Sequence, residues 1–81
     1  MKIEVKAPMA GVFYRRPAPE EPPYVELESP VDKKQTLGLL ETMKVFQKLK
    51  SPAAGKVAGI AAEDGSPVSD GDLLFVIETE N

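Results

Sequence analysis

The sequence predicts an all-β fold: a flattened barrel or sandwich of two antiparallel sheets packed face to face, with pseudo-twofold symmetry. Three observations lead there. Prolines 8, 30, 52 and 67 and all six glycines interrupt the chain at intervals too short for helical periodicity to develop. The stretches between them are short and alternate or run apolar, as strands do. The second half of the chain also repeats the first, so one β layout is used twice.

The elements follow in order. Residues 2–6, Lys-Ile-Glu-Val-Lys, alternate polar and apolar and predict a half-buried strand. Further strands are predicted at 11–14, 24–27, 36–41, 45–49, 55–61 and 73–78, giving seven or eight short strands in all. Segments 36–40 and 73–77 are the most apolar and least alternating, so they are expected to cross the core with both faces covered. The repeat is ungapped: Ser29-Pro30-Val31 to Glu41-Thr42 aligns with Ser66-Pro67-Val68 to Glu78-Thr79, and Ala7-Pro8-Met9-Ala10-Gly11 with Ser51-Pro52-Ala53-Ala54-Gly55. The offsets are 37 and 44, so the first half carries seven extra residues, and these fall within 14–28. There Arg15-Arg16-Pro17-Ala18-Pro19-Glu20-Glu21-Pro22-Pro23 holds four of the eight prolines, which cannot donate to a ladder and favour extended geometry. It reads either as a stiff protruding arm or as an ordinary surface loop.

Composition narrows the function. Eighty-one residues allow one small domain, 1–81, with 42% hydrophobic and 28% charged residues, a globular balance. With no cysteine and no histidine, disulfides, thiolate nucleophiles, Cys/His metal sites and His-based triads are excluded. Neither a catalytic residue nor a metal site is expected. A net charge of −3 with interspersed signs argues against nucleic acid, and no apolar run or signal segment suggests a membrane route. The missing cysteines permit a reducing compartment, and a cytoplasmic location is expected.

One lysine stands apart. Residues 42–44, Thr-Met-Lys, form a tight connection between strands 36–41 and 45–49, with Lys44 at its tip. By the repeat Lys44 corresponds to Asn81, so only one half presents a lysine on a hairpin, at the end opposite the termini. By base rate each of the eight lysines, Lys44 included, reads as a solvated surface charge, and spacing alone does not single Lys44 out; Met43 beside it does. Met43 occupies a turn position where Gly, Asn or Asp is usual; it reads as an apolar recognition contact, or else as a side chain folded back on the core.

Glu41-Thr42-Met43-Lys44-Val45 resembles the Glu-Ala-Met-Lys-Met biotinylation motif of biotin carboxyl carrier proteins, with Thr42 in place of Ala and Val45 in place of the second Met. The likeness extends to Ala7-Pro8-Met9-Ala10-Gly11-Val12-Phe13-Tyr14, Ser51 to Val57, Asp64-Gly65-Ser66-Pro67-Val68 and Leu73 to Glu78. It implies a biotinyl/lipoyl hammerhead fold with biotin amide-linked to Lys44 and Thr42, Met43 and Val45 around it. The arm at 15–23 resembles the thumb of the acetyl-CoA carboxylase carrier, which would bring Arg16, Pro17, Ala18 and Pro19 over the cofactor. The implied role is a non-catalytic carrier, loaded by a biotin protein ligase. It would take carboxyl from a biotin carboxylase and deliver it to a carboxyltransferase, in acetyl-CoA carboxylase and hence fatty acid synthesis, the isolated domain being monomeric. A free lysine, with a pKa of about 10.4, is a poor nucleophile at neutral pH, so attachment needs an external ligase with an activated acyl group.

The alternatives are a carrier for another biotin-dependent carboxylase, a lipoyl carrier, an unmodified interaction domain of the same fold, and an enzyme using carboxylates among Glu20, Glu21, Glu26 and Glu28. Met43 stands where the lipoyl resemblance would favour Asp. The Thr42 and Val45 departures add weight to the unmodified domain, with the biotin carrier still the leading reading.

Overall fold

In the computed structural model, which describes residues 1–43 and 45–79, every regular element is a strand. Among the described residues none is helical. The strands are β1 (Lys2–Lys6), β2 (Gly11–Tyr14), β3 (Pro30–Val31), β4 (Thr36–Thr42), β5 (Val45–Lys50), β6 (Gly55–Ile60), β7 (Ser66–Val68) and β8 (Leu73–Glu78). They form two four-stranded antiparallel sheets, ordered β1-β8-β6-β3 and β5-β4-β2-β7. The predicted fold class is therefore observed.

The repeat is legible bond by bond. The 44 and 37 offsets carry β5, β4, β2 and β7 onto β1, β8, β6 and β3, which turns one sheet into the other in the same order. Ala7 N donates to Asp72 O at 2.9 Å, and its counterpart Ser51 N donates to Gln35 O at 2.9 Å. Gly71 N to Ala7 O is matched by Lys34 N to Ser51 O, both 2.8 Å. Gly65 N to Phe13 O is matched by Glu28 N to Val57 O.

Strands β4 and β8 are each one of the two inner strands of their sheets and contain no exposed residue. Leu37 and Leu40 from one meet Leu74, Phe75 and Ile77 from the other in a core completed by Phe13 and Val57, all fully buried. Their other faces are half-buried rather than sealed, so alternation persists within both apolar runs.

Two expectations change. Residues 24–27 are not a strand: Val25 is buried, but its carbonyl accepts from Arg15 Nη2 at 3.1 Å instead of from a neighbouring strand. Pro22 and Pro23 offer no donors, and Glu28 then turns the chain with φ of 72°. Pairing resumes at β3, which with β7 makes two short strands that the residue pattern did not single out.

The turns after β3 and β7 need a left-handed residue at equivalent places. Gly71 (φ 89°) supplies it in the second half, whereas Lys34 (φ 72°) adopts it in the first. A side chain there costs roughly 1 kcal/mol or more, offset in part by the extra chain entropy of glycine. Lys34→Gly should therefore stabilise the domain by about 0.5–1 kcal/mol. Thermal unfolding should show a rise of a few degrees, given about 4–8 °C per kcal/mol at this size; an unchanged or lower midpoint would refute the strain.

Candidate functional site

The site is organised around the β4–β5 hairpin. Thr42 pairs with Val45, leaving two residues, Met43 and Lys44, between them. Lys44 lies outside the described residues, as does Asn81, its counterpart in the repeat. Met43 is in a left-handed conformation (φ 29°) and is 95% exposed, which disposes of the reading that folds it back on the core. Thr42 is buried, while Val45 and Phe46 are exposed. The apolar surface around the turn is thus contributed by the residues flanking Lys44 in sequence.

The twofold gives this hairpin an open counterpart. Thr79 N donates to Met1 O at 2.8 Å and the Met1 amino group to Thr79 O at 3.1 Å, where Thr42 and Val45 pair in the other sheet. The two places are far apart. Strand β8 starts beside Ala7, in the link leading to Val12 and so to Glu41, and then runs to Thr79, about 20 Å away at 3.3 Å per residue. The longest dimension of the molecule is 37 Å.

The proline-rich arm leaves and rejoins the sheet at one point. Tyr24 N donates to Arg15 O at 2.8 Å, and Arg15 N donates to Asp64 Oδ1 at 2.7 Å, anchoring the base of the excursion. Inside it, Glu21 N donates to Ala18 O at 3.0 Å and Arg16 Nη1 to Glu21 O at 3.3 Å. Its first segment lies over the outer face of the hairpin sheet. Arg16, Pro17, Ala18 and Pro19 form one wall of a groove of about 380 Å³ whose other wall is Tyr14, Leu39 and Phe46, with Asp64 at the side. The Tyr14 and Phe46 rings lie 6.3 Å apart, tilted at 48°.

Sequence reasoning named the arm residues but missed Tyr14, Leu39 and Phe46. Strand register would have found them: Tyr14 opposes Leu39 across β2–β4, and Phe46 opposes Glu41 across β4–β5, all on the face away from the core. Glu41 also accepts a hydrogen bond from Tyr14 Oη at 3.1 Å. That bond, with partial burial and the charges of Glu41 and Asp64 acting the same way, raises the phenol above the ordinary tyrosine value of 10.0. The tie joins the strand leading into the arm to the strand leading into the hairpin.

The paired-carboxylate alternative finds no site. Glu20, Glu21, Glu26 and Glu28 are all exposed, and Glu28 is ion-paired with Lys56 at 3.1 Å. A wider depression of about 720 Å³ between Arg15, Glu26, Leu27, Ile60, Ala62, Glu63 and Asp64 adjoins the groove at Asp64 but includes no hairpin residue. Among the described residues no acidic cluster is placed to hold a metal ion.

Comparison with known proteins agrees with this geometry. Residues 3–77 match the biotin/lipoyl family model, described as biotin-requiring enzyme. The chain is 49% identical over 74 residues to the biotin carboxyl carrier protein of acetyl-CoA carboxylase 1, chloroplastic, of Arabidopsis thaliana, covering 91% of this chain and 26% of that one. It is 38% identical over 74 residues to the biotin carboxyl carrier protein of acetyl-CoA carboxylase of Haemophilus influenzae, covering 91% and 48%. It thus spans between a quarter and a half of these relatives. Among solved structures, a single-chain, multi-domain long-chain acyl-CoA carboxylase matches with a TM-score of 0.80 at 22% identity, over 99% of this chain and 7% of that one. Kluyveromyces lactis urea carboxylase matches with 0.79 at 23%, over 96% and 6%. With a family match running from β1 to β8 and the same fold inside two carboxylases, the chain belongs to the biotin/lipoyl family of biotin-requiring enzymes.

Proposed function

We propose that residues 1–81 act as a single carrier domain that holds biotin in amide linkage on Lys44 and carries carboxyl groups between two enzymes. The observation that supports this reading best is the two-residue hairpin between Thr42 and Val45, which contains Met43, 95% exposed, with Val45 and Phe46 exposed beside it. Relatives named as biotin carboxyl carriers of acetyl-CoA carboxylase support acetyl-CoA carboxylase as the parent system. Its partners would then be a biotin protein ligase, a biotin carboxylase and a carboxyltransferase. The domain performs no chemistry of its own; tethering raises the effective concentration of the carried group at each partner.

The groove fits the ring of the cofactor. At about 380 Å³ it lies within the range of small-ligand sites, with two aromatic side chains and two prolines for walls. Arg16 lines the groove, and its guanidinium supplies donors of the kind a ureido carbonyl accepts from. Biotin supplies a ureido nitrogen that accepts and releases a carboxyl group. The residues of this chain would hold and orient it: Met43, Thr42 and Val45 at the hairpin, and Arg16, Pro17, Ala18 and Pro19 from the arm as a thumb.

Incubating the domain with a biotin protein ligase, ATP and either biotin or lipoate, followed by intact-mass measurement and peptide mapping, tests the reading. One biotinyl group on the peptide containing Lys44 is expected. Preferential uptake of lipoate, or no uptake of either, would overturn it in favour of the lipoyl or the unmodified alternative. The thumb is tested separately by replacing residues 15–21 with a short Gly-containing turn. Because the second half of the repeat folds without such an arm, the variant should stay folded and biotinylatable, while carboxyl transfer in a reconstituted carboxylase changes by several-fold. Transfer at the wild-type rate would reduce the arm to a surface loop.

A further inference from the structure

The two outermost strands of equivalent position, β1 and β5, face the same hazard and answer it differently. Each is a sheet edge with unpaired backbone groups, and charged side chains at such edges discourage pairing with other chains. Edge protection alone would therefore dress both alike. Strand β1 and the turn beside it present Glu4, Lys6, Asp70 and Asp72, a mixed set in which Lys6 and Glu4 pair at 3.6 Å. The equivalent positions along β5 are Lys48, Lys50, Lys33 and Gln35, joined by Lys34 and Asp32. Six positions with four lysines and one acid thus correspond to six with one lysine and three acids.

These four lysines form one patch. Lys50 opposes Thr36 at the start of β4, and Lys34 N donates to Ser51 O, which brings the turn against the end of β5. Lys48 and Lys50 alternate onto the same face of the strand as Phe46. All four are exposed, and among the described residues none has an acid in ion-pair range. One of them, Lys34, occupies the left-handed position that glycine fills in the other half, so the charge is kept at a conformational cost. In a chain of net charge −3 this is a local reversal of sign, contiguous through β5 with the hairpin.

We propose that the β5 edge, through Lys33, Lys34, Lys48 and Lys50, is the docking face for an acidic surface on the ligase that loads the hairpin. The inference rests on the carrier reading and specifies its partner contact. A loading enzyme meets the domain before any cofactor is attached, so recognition must come from protein surface alone. Lysines about 10 and 17 Å along β5 from Val45 lie within the footprint of an enzyme whose active site receives the hairpin. Their contribution is steering and orientation, which act on encounter and are screened by salt.

The test compares ligase kinetics on the unmodified domain carrying Lys33→Glu, Lys34→Glu, Lys48→Glu and Lys50→Glu together with a control carrying Lys2→Glu and Lys6→Glu on the equivalent edge. At low salt the first variant should lose about tenfold or more in kcat/KM with kcat nearly unchanged, the gap closing as salt rises from about 20 to about 300 mM. The control should stay within about twofold of wild type. A Lys→Gln version of the same four positions, which removes charge without reversing it, should show a smaller loss of the same salt dependence. Equal loss in both edges, a loss insensitive to salt, or no loss in either four-site variant would overturn the proposal while leaving the carrier reading intact. A wild-type domain that takes no biotin at any salt would overturn the carrier reading and this one with it.

Discussion

Lys44→Arg should abolish biotinylation outright, leaving a folded domain that no ligase modifies. The substitution keeps the positive charge, while the guanidinium, protonated at any accessible pH, cannot act as the attacking amine. Seven other lysines remain as potential acceptors, and each has a reason to stay free. Lys2 and Lys6 lie on β1 and Lys48 and Lys50 within β5, where the backbone is extended and no turn presents the side chain. Lys33 and Lys34 occupy a turn flanked by Asp32 and Gln35, with no apolar residue like Met43 beside them. Lys56 is held by Glu28. Intact mass should therefore fall from one biotinyl group to none, with the melting temperature within a degree or two of wild type, since exchanging one basic residue for another in a two-residue turn perturbs stability by only about 0.5 kcal/mol. Residual single biotinylation of the variant would mean that the acceptor has been misassigned.

The fold was legible in this sequence because its two halves are imperfect copies, and a repeat fixes sheet topology more firmly than any single strand pattern. Ser-Pro-Val and Glu-Thr at matching offsets suffice to place β4 and β8 in equivalent positions, although β3 and β7, at the Ser-Pro-Val segments themselves, do not stand out as strands by residue pattern. What escaped was governed by contacts distant in sequence. Tyr24-Val25-Glu26-Leu27 has strand composition, yet the Arg15 guanidinium captures the Val25 carbonyl that a neighbouring strand would have used. The groove was half-visible. Prolines 17 and 19 announce a stiff arm by composition, whereas Tyr14, Leu39 and Phe46 form the facing wall only once β2, β4 and β5 are in register. The repeat itself holds the missing signal. Tyr14 and Phe46 correspond to Ala58 and Lys2, so the two aromatic rings are additions to the scaffold rather than parts of it.

The core offers the opposite case, an aromatic residue that the scaffold cannot lose, and Phe13→Ala should cost about 3–5 kcal/mol. Phe13 is fully buried on β2 and meets Phe75, fully buried on β8, edge to face with ring centroids 5.5 Å apart at 71°. The pair therefore joins the two sheets. Its asymmetry explains why no neighbour can fill the gap. The counterpart of Phe75 in the repeat is Gly38, and a Cβ built there would lie 2.8 Å from the Tyr14 carbonyl oxygen and 3.1 Å from Cε1 of Phe13. The Phe13 ring and the Tyr14 carbonyl thus close the space at 38, and removing the ring opens a cavity between a glycine and the Phe75 edge. A chain of this length has total stability of only about 4–12 kcal/mol, so the variant should be substantially unfolded by mild heating or low denaturant. Phe46→Ala, at a site 61% exposed, is the control and should cost under about 1 kcal/mol. Urea melts of the two variants decide it: a Phe13→Ala midpoint close to that of Phe46→Ala would mean that the sheets close over the gap, and that the Phe13–Phe75 contact is not what holds them together.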